Sequence, residues 1–275
     1  MKQPHESKKS VIYYHKPPTV FMKPAHKLIM SMLIPILTAS PLHADWSEVF
    51  SDPGTSDWES KWFLDGNSSE ITNTPEGMVF KTGPLEGGDA SHGVLWTRES
   101  FEGDIRIEYD FTRLDSNMDH IAVCLLYVHA TGIGKAPFSE DIRAWAGARH
   151  VPAMSHYFKH MKLYHVSYAV TGGRDNRYIR ARQYPMVKEF GDTILEPGYD
   201  NVDLFKPGET WHIVFEKIGQ NMSFSASKGE ESHTWTWDLS SRSENLDHGR
   251  VGLRQMRWRE SRFANFKIFT REAGN

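Results

Sequence analysis

Hydrophobic and polar residues alternate over several short stretches of the chain. In Gly103–Leu114, apolar side chains point to one face and charged ones to the other, and the apolar set is Ile105, Ile107, Tyr109 and Phe111. A period of two residues predicts a β-strand buried on one face. Trp211–Lys217 and Met222–Ser227 alternate in the same way and flank Gly219–Asn221, which predicts a hairpin. Further alternating stretches are Thr234–Asp238, Gly249–Arg254 and Phe263–Phe269. Many short strands separated by turns favour a β-sandwich or barrel.

Residues Pro137–Met161 do not alternate. Within them, Ser139–Trp145 predicts a short helix with Ser139 as its N-cap. Long insertions between strands of a compact domain are usually functional or disordered, and this one is rich in His, Tyr and Trp, which favours function. No internal repeat or change of composition divides the rest of the chain, so we expect one domain.

The N-terminal region has the order of a secretory signal. Several lysines precede the apolar run Leu28–Leu37, and small residues follow up to Ala44. The run is shorter than the about 20 residues that cross a bilayer. We therefore expect residues 1–44 to be a signal peptide, residues 45–275 to be the mature domain, and the protein to be periplasmic or secreted without a membrane span.

Composition excludes some classes of partner. The 275 residues include 32 basic and 35 acidic ones, with a net charge of −3, which argues against a general nucleic-acid binder. Cys124 is the single cysteine, so no intrachain disulfide forms, and its apolar surroundings predict a small buried side chain.

Several motifs resemble those of a known fold. Leu95–Arg98, Phe101–Asp110 and Gly249–Arg254 resemble strands of concanavalin A-like domains in bacterial sugar-processing proteins. The middle of the chain, with Phe138–Trp145 and Tyr164–Tyr168, resembles the YesU-like group within that fold. The resemblance runs from about Asp45 to Arg271. It implies an all-β, concanavalin A-like antiparallel β-sandwich (jelly roll) that works on carbohydrate.

Candidate chemistry is densest between His150 and Tyr184. If Arg177–Tyr184 is a strand, Ile179 and Ala181 face the core, and the opposite face carries Tyr178, Arg180, Arg182 and Tyr184. Two arginines between two tyrosines suit the wall of a groove. Tyr164–Tyr168 precedes this strand, and Gly172–Asp175 is a plausible turn between them, so His165 or Tyr168 approaches the same face, depending on a register that the sequence leaves open.

Arginine binds carboxylates in a fixed bidentate geometry, so this face suits an acidic polysaccharide or oligosaccharide. It also suits β-elimination at a uronic acid, in which a base removes the proton beside a charge-neutralised carboxylate. The leading hypothesis is a polysaccharide lyase with Tyr184 and His165 as catalytic residues. The residues assigned to substrate binding are Tyr168, Tyr178, Arg180, Arg182 and His160. The stretch Tyr178–Tyr184 resembles the Tyr-Phe-Lys-Ala-Gly-Val-Tyr strand of jelly-roll alginate lyases, which implies that Tyr184 is the catalytic tyrosine.

Two other functions remain open. One is a non-catalytic, lectin-like carbohydrate-binding domain. The other is a glycoside hydrolase, which needs two carboxylates beside the scissile bond. Glu108 and Asp110 begin such a pattern, but Thr112 and Arg113 occupy the positions where glucanases of this fold carry the next Glu.

Metal sites have weak sequence signals. Asp115–His120 offers oxygen ligands at alternate positions, as calcium loops do, but lacks the glycine and distal glutamate of an EF-hand. The histidines of the middle segment have no zinc-site spacing. We expect no cofactor, with structural calcium as the open alternative.

The signal-peptide hypothesis predicts that the exported protein begins at Asp45. N-terminal sequencing of protein recovered from the periplasm or the medium measures this directly. An intact chain that stays in the cytoplasm would contradict both the cleavage and the predicted location.

Overall fold

Strands dominate the computed structural model, which describes residues 46–83, 88–118, 120–172 and 177–271. The first eight strands are β1 (Ser47–Asp52), β2 (Trp62–Asp65), β3 (Glu70–Thr74), β4 (Gly77–Lys81), β5 (Gly93–Thr97), β6 (Phe101–Glu102), β7 (Asp104–Arg113) and β8 (Ala122–Gly132). The next eight are β9 (Met161–Thr171), β10 (Tyr178–Tyr184), β11 (Ile194–Asp200), β12 (Thr210–Ile218), β13 (Asn221–Lys228), β14 (Glu231–Asp238), β15 (His248–Gln255) and β16 (Glu260–Arg271). The α-helices are α1 (Trp58–Lys61) and α2 (Met154–His160), and the 3₁₀ helices are Asp89–Ser91, Ile142–Arg149 and Phe190–Thr193.

The strands form two antiparallel sheets. Sheet I has the order β14-β13-β12-β7-β16-β4-β3, and β1 also pairs with β16. Sheet II has the order β11-β10-β9-β8-β15-β5-β2, and β6 also pairs with β15. The order mixes strands distant in the chain, as a jelly roll requires. The predicted all-β, concanavalin A-like sandwich is confirmed.

The main core lies between the sheets and is built by the alternation seen in the sequence. In β7, Ile105, Ile107, Tyr109 and Phe111 are fully buried and point towards sheet II. The ring of Tyr109 stacks on Phe266 at 5.2 Å between centroids. Because a buried hydroxyl needs a partner, the Tyr109 hydroxyl donates a hydrogen bond to that of Tyr168, 3.0 Å away.

The predicted hairpin is confirmed as β12 and β13. Ile218 lies opposite Asn221, so the turn consists of Gly219 and Gln220. Gly219 has a φ of 54°, a left-handed conformation that glycine adopts without a steric penalty.

The insertion Pro137–Met161 covers the outer face of sheet II. Its side chains Ile142, Trp145 and Tyr157 form a second buried cluster with Trp96 of β5 and Tyr127 of β8. The face that a simple alternating sheet would expose to water is therefore partly a core of its own.

The predicted cap of this insertion is wrong. Its first helix is a 3₁₀ helix that begins at Ile142, and the side chain of Asp141 accepts the hydrogen bond from the backbone of Arg143 at 3.0 Å. Asp and Ser are both good caps, and the local sequence offers both. The backbone oxygen of Ser139 instead accepts a hydrogen bond from the indole N–H of Trp145.

The described residues fall within one compact unit of the chain, residues 43–275. The predicted signal peptide lies outside the described residues. None of the helices in the described ranges is both long and apolar enough to cross a membrane. Cys124 is buried, as predicted, and burial raises the pKa of its thiol to about 11.

Gly252 of β15 gives a test of the packing on sheet II. A Cβ atom at this position would lie 2.4 Å from the ring of Trp96, which is itself fully buried. We expect Gly252→Ala to lower the free energy of unfolding by about 1–3 kcal/mol, the usual cost of overpacking. Chemical denaturation measures the change.

Gly147 provides the control, because a Cβ atom there meets no atom within 4 Å. We expect Gly147→Ala to leave stability nearly unchanged. Equal stability of both variants would contradict the packing of Trp96 across Gly252.

Candidate binding site

One row of residues crosses the outer face of sheet II. The strand register places each member beside the next, in the order Phe63, Trp96, Gly252, Tyr127, His165 and Arg182. The row joins strands that are distant in sequence, so only the folded sheet brings these aromatic and basic groups together.

Strand β10 has the predicted faces. Ile179 and Ala181 are buried between the sheets. The alternation therefore turns the other side chains outward, namely Tyr178, Arg180, Arg182 and Tyr184. Of these, Tyr184 is only 1% exposed, because rings of Phe158 and Phe190 pack around it.

The register of β9 separates the two candidates on that strand. His165 lies directly opposite Arg182 and shares the outer face. Tyr168 lies three residues after His165, so its side chain points to the opposite face, between the sheets. It is fully buried there and hydrogen-bonded to Tyr109. The structure thus places Tyr168 in the core, away from the surface where it was expected to bind substrate.

The outward-facing side chains of Tyr178, Arg180 and Arg182 on β10 are partly exposed. The guanidinium of Arg180 lies 4.3 Å from the ring centre of Tyr178 and 3.3 Å from a carboxylate oxygen of Asp200. The guanidinium of Arg182 lies 4.2 Å from the ring centre of Phe190 and donates to the hydroxyl of Thr193. We call Tyr178, Arg180 and Arg182 the Tyr–Arg row.

Beneath the insertion, one carboxylate holds several donors. The Oδ2 atom of Asp65 accepts hydrogen bonds from the Trp96 indole at 2.7 Å, the Arg149 guanidinium, and the Tyr157 hydroxyl at 3.3 Å. Asp65 and Arg149 have fully buried side chains. Burial raises the pKa of Asp65, against the opposing effect of Arg149. Arg149 is thus a buried charge with a buried counter-charge.

Arg254 of β15 is a second fully buried guanidinium with a different environment. Its Nη2 atom donates to Nδ1 of His92 at 2.7 Å and to the backbone oxygen of Pro152 at 3.1 Å. Within the described ranges, no carboxylate lies within salt-bridge distance of it, and its Nε and Nη1 atoms have no hydrogen-bond partner.

Three neighbours of Arg254 also have unsatisfied polar atoms. The hydroxyl of Tyr184 and both ring nitrogens of His165 are buried without a hydrogen-bond partner among the described residues, and the hydroxyl of Tyr127 has none apart from an interaction with Arg254 itself. The ring of His165 lies 5.5 Å from Tyr127 and 5.0 Å from Tyr184, between centroids. We call Tyr127, His165, Tyr184 and Arg254 the buried cluster.

Burial controls the ionisation of the cluster. It lowers the pKa of His165 well below the usual value, with further lowering by Arg182 and Arg254. It raises the pKa of Tyr184 well above the usual value and outweighs the opposing effects of Arg254 and Arg182. Arg254 and Arg182 lower the pKa of Tyr184, but too little to make it a base near neutral pH. Histidine and tyrosine in the cluster are neutral hydrogen-bonding groups near pH 7.

The remaining candidates lie elsewhere. His160 ends α2, and its ring stacks on Phe138 at 3.7 Å between centroids. In the predicted calcium segment, residue 119 lies outside the described residues, and Asp115 forms an ion pair with Arg259 at 3.0 Å. In the part of the chain that the structure describes, no three His, Cys, Asp or Glu side chains are grouped to hold a metal. Structural calcium stays a prediction.

Sequence reasoning missed the centre of the site. The pattern named Arg254 only as the end of the alternating stretch Gly249–Arg254 and did not single out Tyr127, Asp65 or Arg149. One signal was available, because alternation within Gly249–Arg254 puts Val251 and Leu253 in the core and Arg254 on the outer face. Nothing local indicated that an insertion about a hundred residues earlier in the chain would cover it.

Comparisons with known proteins agree with this fold. The family profile described as "Domain of unknown function (DUF1961)" matches residues 54–268. No curated protein gives a significant match. A Bacillus subtilis protein of unknown function with a galectin-like fold has a TM-score of 0.62 and 18% identity, over 83% of this chain and 100% of that one.

Two plant lectins are also similar in structure. Lectin II from Ulex europaeus has a TM-score of 0.54 and 12% identity, over 82% of this chain and 100% of that one. Basic winged bean lectin with Tn-antigen has a TM-score of 0.54 and 6% identity, over 82% of this chain and 98% of that one. At these identities the likeness concerns the fold alone. The narrower YesU-like assignment is not named by these comparisons and stays a prediction.

The buried His165 predicts a pH dependence of stability. As the pH falls through about 6.5, the unfolded chain protonates this histidine, whereas the folded protein keeps it neutral. Stability is therefore lost towards acid pH. Between pH 7 and pH 5, the unfolding free energy of the wild type should fall by about 1–2 kcal/mol more than that of His165→Phe.

Denaturant titrations at several pH values measure this difference. His248→Gln, at an exposed side chain, is the control. Parallel pH profiles of the wild type and His165→Phe would show that His165 is protonated in the folded protein.

Proposed function

The chain belongs to the DUF1961 family, and from its sandwich fold and the outer face of sheet II we propose that it is a carbohydrate-binding protein for acidic glycans. The observation that carries this proposal is the Tyr–Arg row beside the buried cluster. Aromatic rings offer flat apolar surfaces, and guanidinium groups offer several directed donors, so the row matches both the C–H faces and the polar groups of a sugar.

The row is accessible in the structure. Arg180 is about one-third exposed, and the neighbouring Phe190 and Val187 are 39% and 81% exposed. Ligand sites commonly combine apolar side chains with a few directed polar groups. Asp200, beside Arg180, adds an acceptor for sugar hydroxyls.

Acidic glycans are favoured by the partners of Arg182. Within the described ranges its guanidinium donates to the backbone oxygen of Phe190 and the hydroxyl of Thr193, both neutral groups. Desolvation lowers the pKa of Arg182, which is the mark of a charge short of compensation. A ligand carboxylate or sulfate would supply the missing negative charge.

The properties of Tyr184, the residue named for proton transfer, fit a protein that binds the glycan without cleaving it. A catalytic acid or base works best with a pKa near the operating pH. The pKa of Tyr184 is instead raised well above its usual value by burial, and the ring is enclosed. We therefore favour the lectin-like function over β-elimination and expect no formation of unsaturated uronates from acidic polysaccharides, which ultraviolet absorbance would detect.

The proposal includes an extracytoplasmic location, because glycan polymers of this kind are met outside the cytoplasm. Its support is the order of lysines, apolar residues and small residues in residues 1–44. The test by N-terminal sequencing stands apart from the binding assays.

Affinity gel electrophoresis with alginate, glucuronan, pectic acid and a neutral glucan tests the proposed function. We expect retardation by acidic polymers and roughly tenfold weaker binding in the Arg180→Ala/Arg182→Ala double variant, since a half-exposed ion pair contributes up to about 1 kcal/mol and the double variant loses two.

The control variant is Arg106→Ala, a partly exposed arginine that pairs with Glu108 and Glu216 on sheet I. It should bind like the wild type. Stronger retardation by the neutral glucan would remove the preference for acidic glycans, and no retardation by any polymer would refute carbohydrate binding.

A further inference from the structure

A buried guanidinium without a counter-charge requires an explanation. Removing a charge from water costs several kcal/mol unless paired groups compensate it, so buried arginines normally meet carboxylates. Arg149 follows this rule through Asp65, and Arg259 follows it through Asp115. Arg254, equally buried, has no carboxylate at ion-pair distance among the described residues: it donates to Nδ1 of His92 and a backbone oxygen and lies against the ring of Tyr157, and Asp89 acts on it only from a longer distance.

The groups around Arg254 are all suited to one kind of ligand. Tyrosine hydroxyls and a neutral imidazole N–H donate hydrogen bonds. Those of Tyr184 and His165 are unpaired among the described residues, and that of Tyr127 has no partner there apart from Arg254. Together with the two unpaired nitrogens of Arg254, they form a set of donors around a positive charge. Such a set is complementary to a carboxylate or sulfate.

From this arrangement we infer that the buried cluster is an anion site, which takes the acidic group of the glycan bound by the proposed function. The inference rests on that function for the nature of the ligand, and on the cluster itself for the site. It assigns one acidic group of the glycan to Arg254, Tyr127, Tyr184 and His165, beneath the insertion, while the Tyr–Arg row contacts the neighbouring sugars and their acidic groups.

The two parts lie on the same face at a distance that suits one ligand. Arg254 is paired with Leu125, Leu125 with Ser167, and Ser167 with Arg180. Three strand spacings separate Arg254 from Arg180, which is about 14 Å between backbones. An oligosaccharide lying across β8 and β9 spans this distance.

The insertion must move for the acidic group to enter. Tyr157 of α2 packs against the guanidinium of Arg254 at 4.5 Å from its ring centre, and it stacks near Trp96 and Tyr127. The helix is therefore the cover of the anion site. Its contacts with the cluster are made by the rings of Tyr157 and Phe158, and outside the cluster Tyr157 donates one long hydrogen bond, of 3.3 Å, to Asp65.

Thermal unfolding with sodium glucuronate or glucose tests the anion site, with the sodium concentration held constant by sodium chloride. We expect glucuronate to raise the melting temperature of the wild type, because a ligand that binds only the folded state stabilises it. Glucose should have no effect. The Arg254→Met variant should show no response to glucuronate.

The stability of two variants without added anion separates a binding role from a structural one. Arg254→Met removes a charge that has no ion-pair partner, but it also leaves Nδ1 of His92 and the backbone oxygen of Pro152 without a donor, so it should melt only slightly below the wild type. Arg149→Met leaves Asp65 buried without its partner, so it should melt well below the wild type. If Arg254→Met is as damaging as Arg149→Met, Arg254 is a structural residue and the inference fails.

A second variant tests the site in case Arg254→Met folds poorly. Tyr184→Phe removes one unpaired hydroxyl and no packing, so it should fold normally and bind glucuronate at least about fivefold more weakly, by calorimetric titration. An unchanged affinity in this variant, or an equal shift by glucose and glucuronate in the wild type, would overturn the site and leave ordered water as the partner of these atoms.

The outcomes for the two proposals are distinguishable. If acidic polymers bind the wild type and Arg254→Met equally, the carbohydrate function stands and the anion site fails. If glucuronate stabilises the wild type but not Arg254→Met and no polymer is retarded, the anion site stands and the carbohydrate function fails.

Discussion

The carboxylate of Asp65 holds together the part of the molecule that differs from a plain sandwich. It lies at the end of β2, and through one oxygen it accepts hydrogen bonds from β5, from the 3₁₀ helix of the insertion and from α2. Without it, Arg149 would be a buried charge with no counter-charge, and the insertion would keep only its other polar contacts with sheet II, such as those of Asp141 with Arg250 and of Pro152 with Arg254. The second core above the sheet, with Trp96 at its centre, depends on the attachment at Asp65.

The same chemistry explains why Arg149 and Arg254, the two arginines beneath the insertion, have different roles. A buried charge that has a counter-charge stabilises the structure, because removing it leaves the counter-charge buried and unpaired, at the full cost of desolvation. An unpaired one lowers the stability of the folded state and is retained only where something else uses it. Natural proteins lower local stability at functional sites, and Arg254 with its unpaired neighbours has that character.

Much of the fold follows from local pattern, whereas the site follows from pairing. Period two alone places Ile179 and Ala181 inside and the Tyr–Arg row outside, because the faces of a strand are set by its geometry. It cannot say that His165 meets Arg182, since a register shift of one residue would have brought a different side of β9 to that face. It also cannot join Asp65 to Arg149, 84 residues apart. The predicted cap failed for a simpler reason, because Ser139 and Asp141 are equally good caps and only tertiary packing selects between them.

The division of arginines between surface and interior has a consequence for selectivity. At the half-exposed Tyr–Arg row, water and salt screen the attraction between a guanidinium and a carboxylate, so an exposed pair contributes little. At Arg254 the surroundings are rings and backbone, the charge is unscreened, and a neutral group in the same place would leave the donors unsatisfied. A surface row alone would bind many glycans weakly. A buried, unpaired guanidinium rejects a sugar without an acidic group, because discrimination by an unpaired buried group is larger than that by a solvated contact.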